Sequence, residues 1–247
     1  MSPVPEAPLR ISIAVCAYVL LVVWVTLRGL DVGLRRSGCA APIRRSLLAR
    51  IGALLGTWFV AVTAAAASGA WLDPEFPRAV GYIVPALVLS LVLWRAGWLQ
   101  AAVQSLSPAA IPWLQTLRIG GGLSLFAAWA SGLAPWSWVV TAGTGDILVG
   151  LGAAGVALLL GTRTSWSRTT AQVWNVFGLV DIAHTLVRGL LGAPGPQQRF
   201  FDAPPNLVPA VFPFIYLPAF IVPLTILLHI LSLQQLARLG PARAAPA

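Results

Sequence analysis

Lysine is missing from this chain. All 16 basic residues are arginine, set against only seven acids in 247 residues. Without a lysine amine there is no Schiff base for retinal, so the retinal-binding reading of a seven-helix chain is closed. Charge is scarce as well: 9% of residues are charged, where a soluble domain carries about 25%. A chain with so little charge cannot present a watery surface all round. Two cysteines and two histidines limit metal chemistry. Cys16 falls in the first apolar stretch and Cys39 in a basic loop, so no disulfide is expected between them. CxxC, HExxH and haem-attachment spacings are absent, and His184 and His229 are expected at different depths. No metal, haem or other cofactor is therefore expected.

What the chain has in abundance is apolar sequence: 58% of residues are hydrophobic and the mean hydropathy is +0.83. Seven apolar stretches lie at about 11–27, 47–70, 79–94, 112–132, 139–160, 171–191 and 211–231. At 1.5 Å per residue each reaches across a hydrocarbon core of about 30 Å, the third only barely. The expected fold is all-α: an integral membrane bundle of seven transmembrane helices, with residues 1–247 as one domain. The N-terminus lacks a basic n-region, so the first span is expected to be retained rather than cleaved.

Orientation follows from the arginines. Arg28, Arg35, Arg36, Arg44, Arg45, Arg50, Arg95, Arg163, Arg168, Arg238 and Arg243 fall on one side of the predicted spans. The other side has Arg10, Arg78, Arg188 and Arg199, offset by Glu6, Asp73, Glu75 and Asp202. The positive-inside rule then puts the N-terminus outside and the C-terminus in the cytoplasm. The net charge of +9 is accounted for by topology and anionic headgroups, and membrane lipids rather than nucleic acid are the expected partners. Trp24, Trp71, Trp94, Trp113, Trp136, Trp138 and Trp166 fall near span ends, the depth that indoles favour. Residues 95–106 suit a short amphipathic surface helix. The stretch 192–209, rich in Pro, Gln and Asn, is the longest external loop; it reads first as an irregular connector, with a cap over an outward-facing cavity as the alternative. No internal repeat is visible.

Ionisable residues are expensive in hydrocarbon, by about 2.5–3.5 kcal/mol each on insertion scales, and mark a site by default. Arg118, Asp146, Asp181, His184 and His229 are such residues. On the sixth span Asp181, His184 and Arg188 share one helical face. Asp146 and His184 come at nearly the same depth, so an outer cluster of Asp146, Asp181 and His184 is expected. Two carboxylates and an imidazole can relay protons, bind a cation or divide acid and base roles. Equally, Asp181 or Asp146 could neutralise Arg188 and merely fix helix packing. A second layer, nearer the cytoplasm, holds Arg118, Gln115, Asn175 and His229. There Arg118 is expected to snorkel towards headgroups, and His229 to sit at the interface or bond to a neighbouring helix. Gly143 and Gly145 lack the strand and lysine of a phosphate loop and read as helix-packing residues. Gly150, Gly152 and Gly155 extend that face and place the fifth helix centrally. Pro218 and Pro223 should kink the seventh span and free carbonyls near Phe214 and Ala219.

The segments AGTGDILVGLGAAGVALLL, WNVFGLVDIAHTL and PAFIVPLTILLHILSL resemble those of uncharacterised bacterial multi-pass membrane proteins, over Arg118 to Leu233. The resemblance implies a bacterial inner-membrane location and brings no catalytic roles. A rhomboid GxSG, a prenyltransferase NDxxD and a multi-histidine hydrolase set are all absent. Three readings follow. The preferred one is a non-enzymatic protein that binds or transports a small solute, ion or lipid, with Asp146, Asp181, His184, Arg188, Arg118, Asn175 and His229 as candidate ligand-binding residues. The others are an intramembrane lipid-modifying enzyme using Asp146, Asp181 and His184, and an accessory subunit of a membrane complex with a protein partner.

Overall fold

A computed structural model describes residues 5–72, 80–162, 164 and 166–238. Among these the regular structure is helical: α1 (Leu9–Arg36), α2 (Ala41–Ala67), α3 (Val80–Trp94), α4 (Gly97–Gln104), α5 (Ala110–Gln115), α6 (Arg118–Ala130), α7 (Trp136–Thr162), α8 (Ser167–Gly192) and α9 (Val222–Arg238). A π-helical turn at Leu217–Ile221 leads into α9. Of the arginines and acids used to read orientation, Asp73, Glu75, Arg78, Arg163 and Arg243 lie outside the described residues.

Four helices are long and apolar enough to cross a membrane: α1, α2, α7 and the continuous stretch Leu217–Arg238. A fifth arises if α3 and α4, bent by 68°, are taken as one broken span. The bend falls at Arg95–Ala96, and α4 turns its buried Leu99, Ala102 and Val103 inward. This short helix, expected along the surface, packs against α1, where Ser105 donates to the Gly33 carbonyl at 2.8 Å. The remaining two predicted spans, the fourth and the sixth, and the start of the seventh differ in form. The fourth is split into α5 and α6, joined by turns whose hydrogen bonds run three residues back (Ile119 N to Thr116 O, 3.1 Å). The sixth is a single 26-residue helix, α8, with Asp181, His184 and Arg188 lowering its hydropathy. The seventh does not begin as a helix at 211. Residues 208–215 form turns and a bend, and the continuous α-helix starts only at Val222, after the π-helical turn. Pro213 and Pro218 each lack the N–H that an α-helix there would need.

The fifth predicted span, α7, is central as expected, packing on α5, α6 and α8, while α9 packs on α3, α4, α5 and α8. Gly122 of α6 faces the Gly143 carbonyl of α7 so closely that a Cβ would collide with it. Gly150 likewise leaves room for the Ile119 backbone, whose nitrogen lies 2.9 Å from a hypothetical Cβ. The small residues of α6 and α7 thus permit backbone-to-backbone approach in the way that membrane helices use them. Around them Val15, Val19 and Val22 of α1 pack with Leu125, Trp138, Phe214 and Ile221 in the largest apolar cluster. Trp138 is buried within it and donates to the Thr185 carbonyl at 3.2 Å, so it is a core residue and not an interfacial anchor.

Candidate functional site

Four helices converge on one guanidinium. Arg118 is the first residue of α6, and only 2% of its side chain is exposed. Its Nε and Nη2 donate to Asp146 Oδ1 of α7 at 2.8 and 2.5 Å. Nη2 also donates to Asp181 Oδ2 of α8. Nη1 reaches the Gly178 carbonyl at 3.3 Å and His229 Nε2 of α9 at 3.2 Å. A guanidinium has five N–H donors and no acceptor, and these contacts occupy all five.

That count assigns the histidine. Because Arg118 can only donate, His229 Nε2 must accept, which leaves the ring proton on Nδ1 and the imidazole neutral. Nδ1 then donates to Asn175 Oδ1 at 2.9 Å. The Asn175 amide passes its own protons to the Ala171 carbonyl (2.7 Å) and Ser232 Oγ (3.0 Å). Trp174 tilts against the imidazole, with ring centroids 5.1 Å apart. One directional chain of donors therefore runs from Arg118 through His229 and Asn175 to Ser232, entirely among buried groups.

Glycine makes the room. A Cβ at Gly145, one residue before Asp146, would overlap the Asp181 carboxylate; one at Gly178 would overlap the His229 imidazole and come within 3.2 Å of Arg118 Nη1. The sequence TGD on α7 and GLVD on α8 thus pairs each carboxylate with the gap that another charged or polar group fills.

The charges do not balance. One guanidinium faces two carboxylates beside a neutral imidazole, a net charge of −1 with both acids ionised. Asp146 Oδ2 and Asp181 Oδ1 make no hydrogen bond among the described residues. Asp146 and Arg118 also line a cavity of about 60 Å³. Its walls are mainly apolar (Leu125, Leu186, Leu190, Leu217 and Ile221), and Asn206, Val208 and Pro209 contribute to them. These three belong to the connection after α8. Asn206 anchors this connection by donating to the Gly189 carbonyl at 2.9 Å, and Tyr82 of α3 donates to the Pro209 carbonyl at 2.5 Å.

Several expectations about positions need correction. The two predicted layers are one network: Arg118 meets Asp146 and Asp181 directly and links them to His229 and, through it, Asn175, while Gln115 bonds apart from it to the Thr225 carbonyl at 3.2 Å. Arg118 does not snorkel to headgroups, because two carboxylates within its reach outbid the interface. His184 is exposed and outside the network. Arg188 neutralises neither buried acid; it pairs with Asp202 at 3.2 Å and lies over the Phe200 ring, 3.5 Å from its centroid, tying down the connection after α8. Nor are the proline-freed carbonyls open to a ligand. The Ala219 carbonyl accepts from Trp58 Nε1 of α2 at 3.1 Å, and that of Phe214 from Leu217 N at 2.9 Å.

Other contributors carried no sequence signal of their own. Ser232 and Thr185 are common small polar residues in membrane helices. Tyr18 lies at mid-span in α1, yet its hydroxyl and Asp146 Oδ2 both come within 3.4 Å of the space beside Gly121. A tyrosine in the middle of an apolar span was the available clue.

Long apolar helices that converge on an arginine–dicarboxylate centre mark a helical membrane protein with a polar core. The chain belongs to the family described as "Domain of unknown function (DUF8737)", which it matches over residues 75–237. That range holds Arg118, Asp146, Asn175, Asp181 and His229 and leaves out α1 and α2. No curated protein and no solved structure matches the chain.

Proposed function

We propose that this is a seven-span protein of the bacterial inner membrane, N-terminus outside and C-terminus cytoplasmic, that binds or transports a small solute, ion or lipid. The Arg118–Asp146–Asp181 centre is its intramembrane site. The observation that carries this reading is the uncompensated carboxylate: Asp146 keeps one oxygen without a partner and lines a cavity. A purely structural ion pair would be neutral, since burying surplus charge in a membrane is costly. The seven-span count draws support from α5–α6 and α8, which occupy the predicted fourth and sixth spans alongside the more apolar helices. Residues 1–247 are read as a single transmembrane domain.

Native mass spectrometry of the detergent-purified chain, beside the Asp146→Asn/Asp181→Asn variant, tests the site. A defined adduct on the wild type that the variant lacks is expected. The same adduct on both would place binding elsewhere. An accessory-subunit role is the second reading, favoured by α2, of whose most apolar stretch only 6% is buried. Co-purification of a stoichiometric membrane partner would support it.

A further inference from the structure

We propose that the cavity beside Asp146 takes a small amphiphilic cation, a protonated amine carrying one apolar group, with its ammonium on Asp146 Oδ2. This names the ligand class for the site of the preceding reading and rests on it.

Anions are excluded by donor count. All five N–H groups of Arg118 are committed to Asp146, Asp181, Gly178 and His229. A carboxylate or phosphate would find no free guanidinium donor there and would meet a net negative charge. A bare metal cation is poorly served for the opposite reason. Hard cations take six or more oxygen ligands, whereas the polar side-chain oxygens on this cavity come only from Asp146, Thr185, Asn206 and Thr225. One of these is already engaged: Asn206 Oδ1 accepts from Val208 N.

An ammonium asks for less. It has three donors on a point charge and needs one carboxylate oxygen plus one or two neutral acceptors. Asp146 Oδ2 supplies the first. Thr185, one turn along α8 from Asp181, lines the same cavity, and its buried, unpartnered Oγ1 can supply a second by a χ1 rotation. The remaining wall from Leu125 and Leu186 to Leu190 and Ile221 suits hydrocarbon. At about 30 Å³ per water, 60 Å³ is the room of about two waters or a short alkyl chain, well short of the roughly 150 Å³ of a cavity that takes benzene.

The test uses the full chain purified in detergent, with propylamine, propanol and propionate as probes of similar size and three charge states. Saturable thermal stabilisation by propylamine alone is expected. Its apparent Kd should rise at least tenfold in Asp146→Asn, and also in Leu186→Phe, which fills the cavity without touching a charge. Equal stabilisation by all three probes, or propylamine binding unchanged in Leu186→Phe, overturns the proposal; the latter holds even if Asp146→Asn fails to fold. Failure here can be told from failure of the wider reading. A native-mass adduct lost in Asp146→Asn/Asp181→Asn, with no response to propylamine, keeps the site and discards the amine. Absence of both discards the two together.

Discussion

α2 and the segment Leu217–Arg238 are both long and apolar enough to cross a membrane, yet they occupy opposite situations. Of the most apolar stretch in each, 6% is buried inside the protein in α2 and 67% in Leu217–Arg238. Hydropathy says that both are solvated by something apolar; it does not say whether that is lipid or protein. The polar side chains say it. On α9, His229 and Ser232 join the arginine network, while Gln235 donates to the Val103 and Leu106 carbonyls and Gln234 accepts from Gln100. α2 offers Trp58 Nε1 to the Ala219 carbonyl and a hydroxyl, on Thr63, that donates to the Phe59 carbonyl and accepts from the Tyr216 hydroxyl. Leu54 and Val60 on α2 are exposed, as a lipid-facing surface would be. Where hydrocarbon supplies no hydrogen bonds, polar groups seek each other, so their density along a span measures how central it is.

Breaking the contrast at its strongest point means removing Arg118. Arg118→Ala leaves two carboxylates buried without their cation, and breaking a buried pair in this way costs about 3–5 kcal/mol. The variant is expected to lose most of its thermal stability and to accumulate poorly. A melting temperature within a few degrees of wild type would contradict the network.

Glycines sharpen the comparison. Gly178→Leu drives a side chain into His229 and Arg118 and should destabilise by about 1–3 kcal/mol or more, as overpacking does. Gly56→Leu on α2 meets open space, with nothing within 4 Å of a Cβ, and should stay within about 0.5 kcal/mol. Equal effects in denaturant titrations would erase the distinction between the two regions.

Asn175→Ala and His229→Ala test whether the donor chain acts as a unit. Each should cost about 1–3 kcal/mol by orphaning a buried partner, and the double variant should cost clearly less than their sum. Strict additivity would show that the two side chains are not coupled.

Smallest is Trp58→Phe, which removes the donor from the Ala219 carbonyl and should cost about 1 kcal/mol. No change in melting temperature would mean that this carbonyl is satisfied in another way.

Much of this was legible from the residues. Apolar runs located every helix that is long and apolar enough to cross a membrane, and the rarity of ionisable residues within them singled out Arg118, Asp146, Asp181 and His229. Gly143 and Gly145 before Asp146 were read as packing positions, which they are; Gly178 before Asp181 was not singled out. The pairing was not legible, because depth along separate spans fixes neither which helices adjoin nor how far a side chain reaches. An extended arginine covers more than a helical turn, so two layers placed apart by backbone position meet at one guanidinium. His184 shared a face with Asp181 but turned outward, since about 60° of helical arc separates an inward residue from an outward one. The prolines of the last span signalled irregular helix, yet the span was expected to be helical from 211, whereas turns fill its start and Pro223 lies within regular α-helix. Trp58 as the group that satisfies the freed carbonyl was not anticipated, because nothing in the sequence relates α2 to it.

The central claim is that one buried cation holds two carboxylates, and charge compensation tests it most directly. Thermal unfolding would be compared for wild type, Arg118→Met and Arg118→Met/Asp146→Asn/Asp181→Asn. The account predicts that the single variant is strongly destabilised and that the triple variant, with no net charge left in the centre, recovers at least half of the lost stability. A triple variant no more stable than Arg118→Met alone would contradict it.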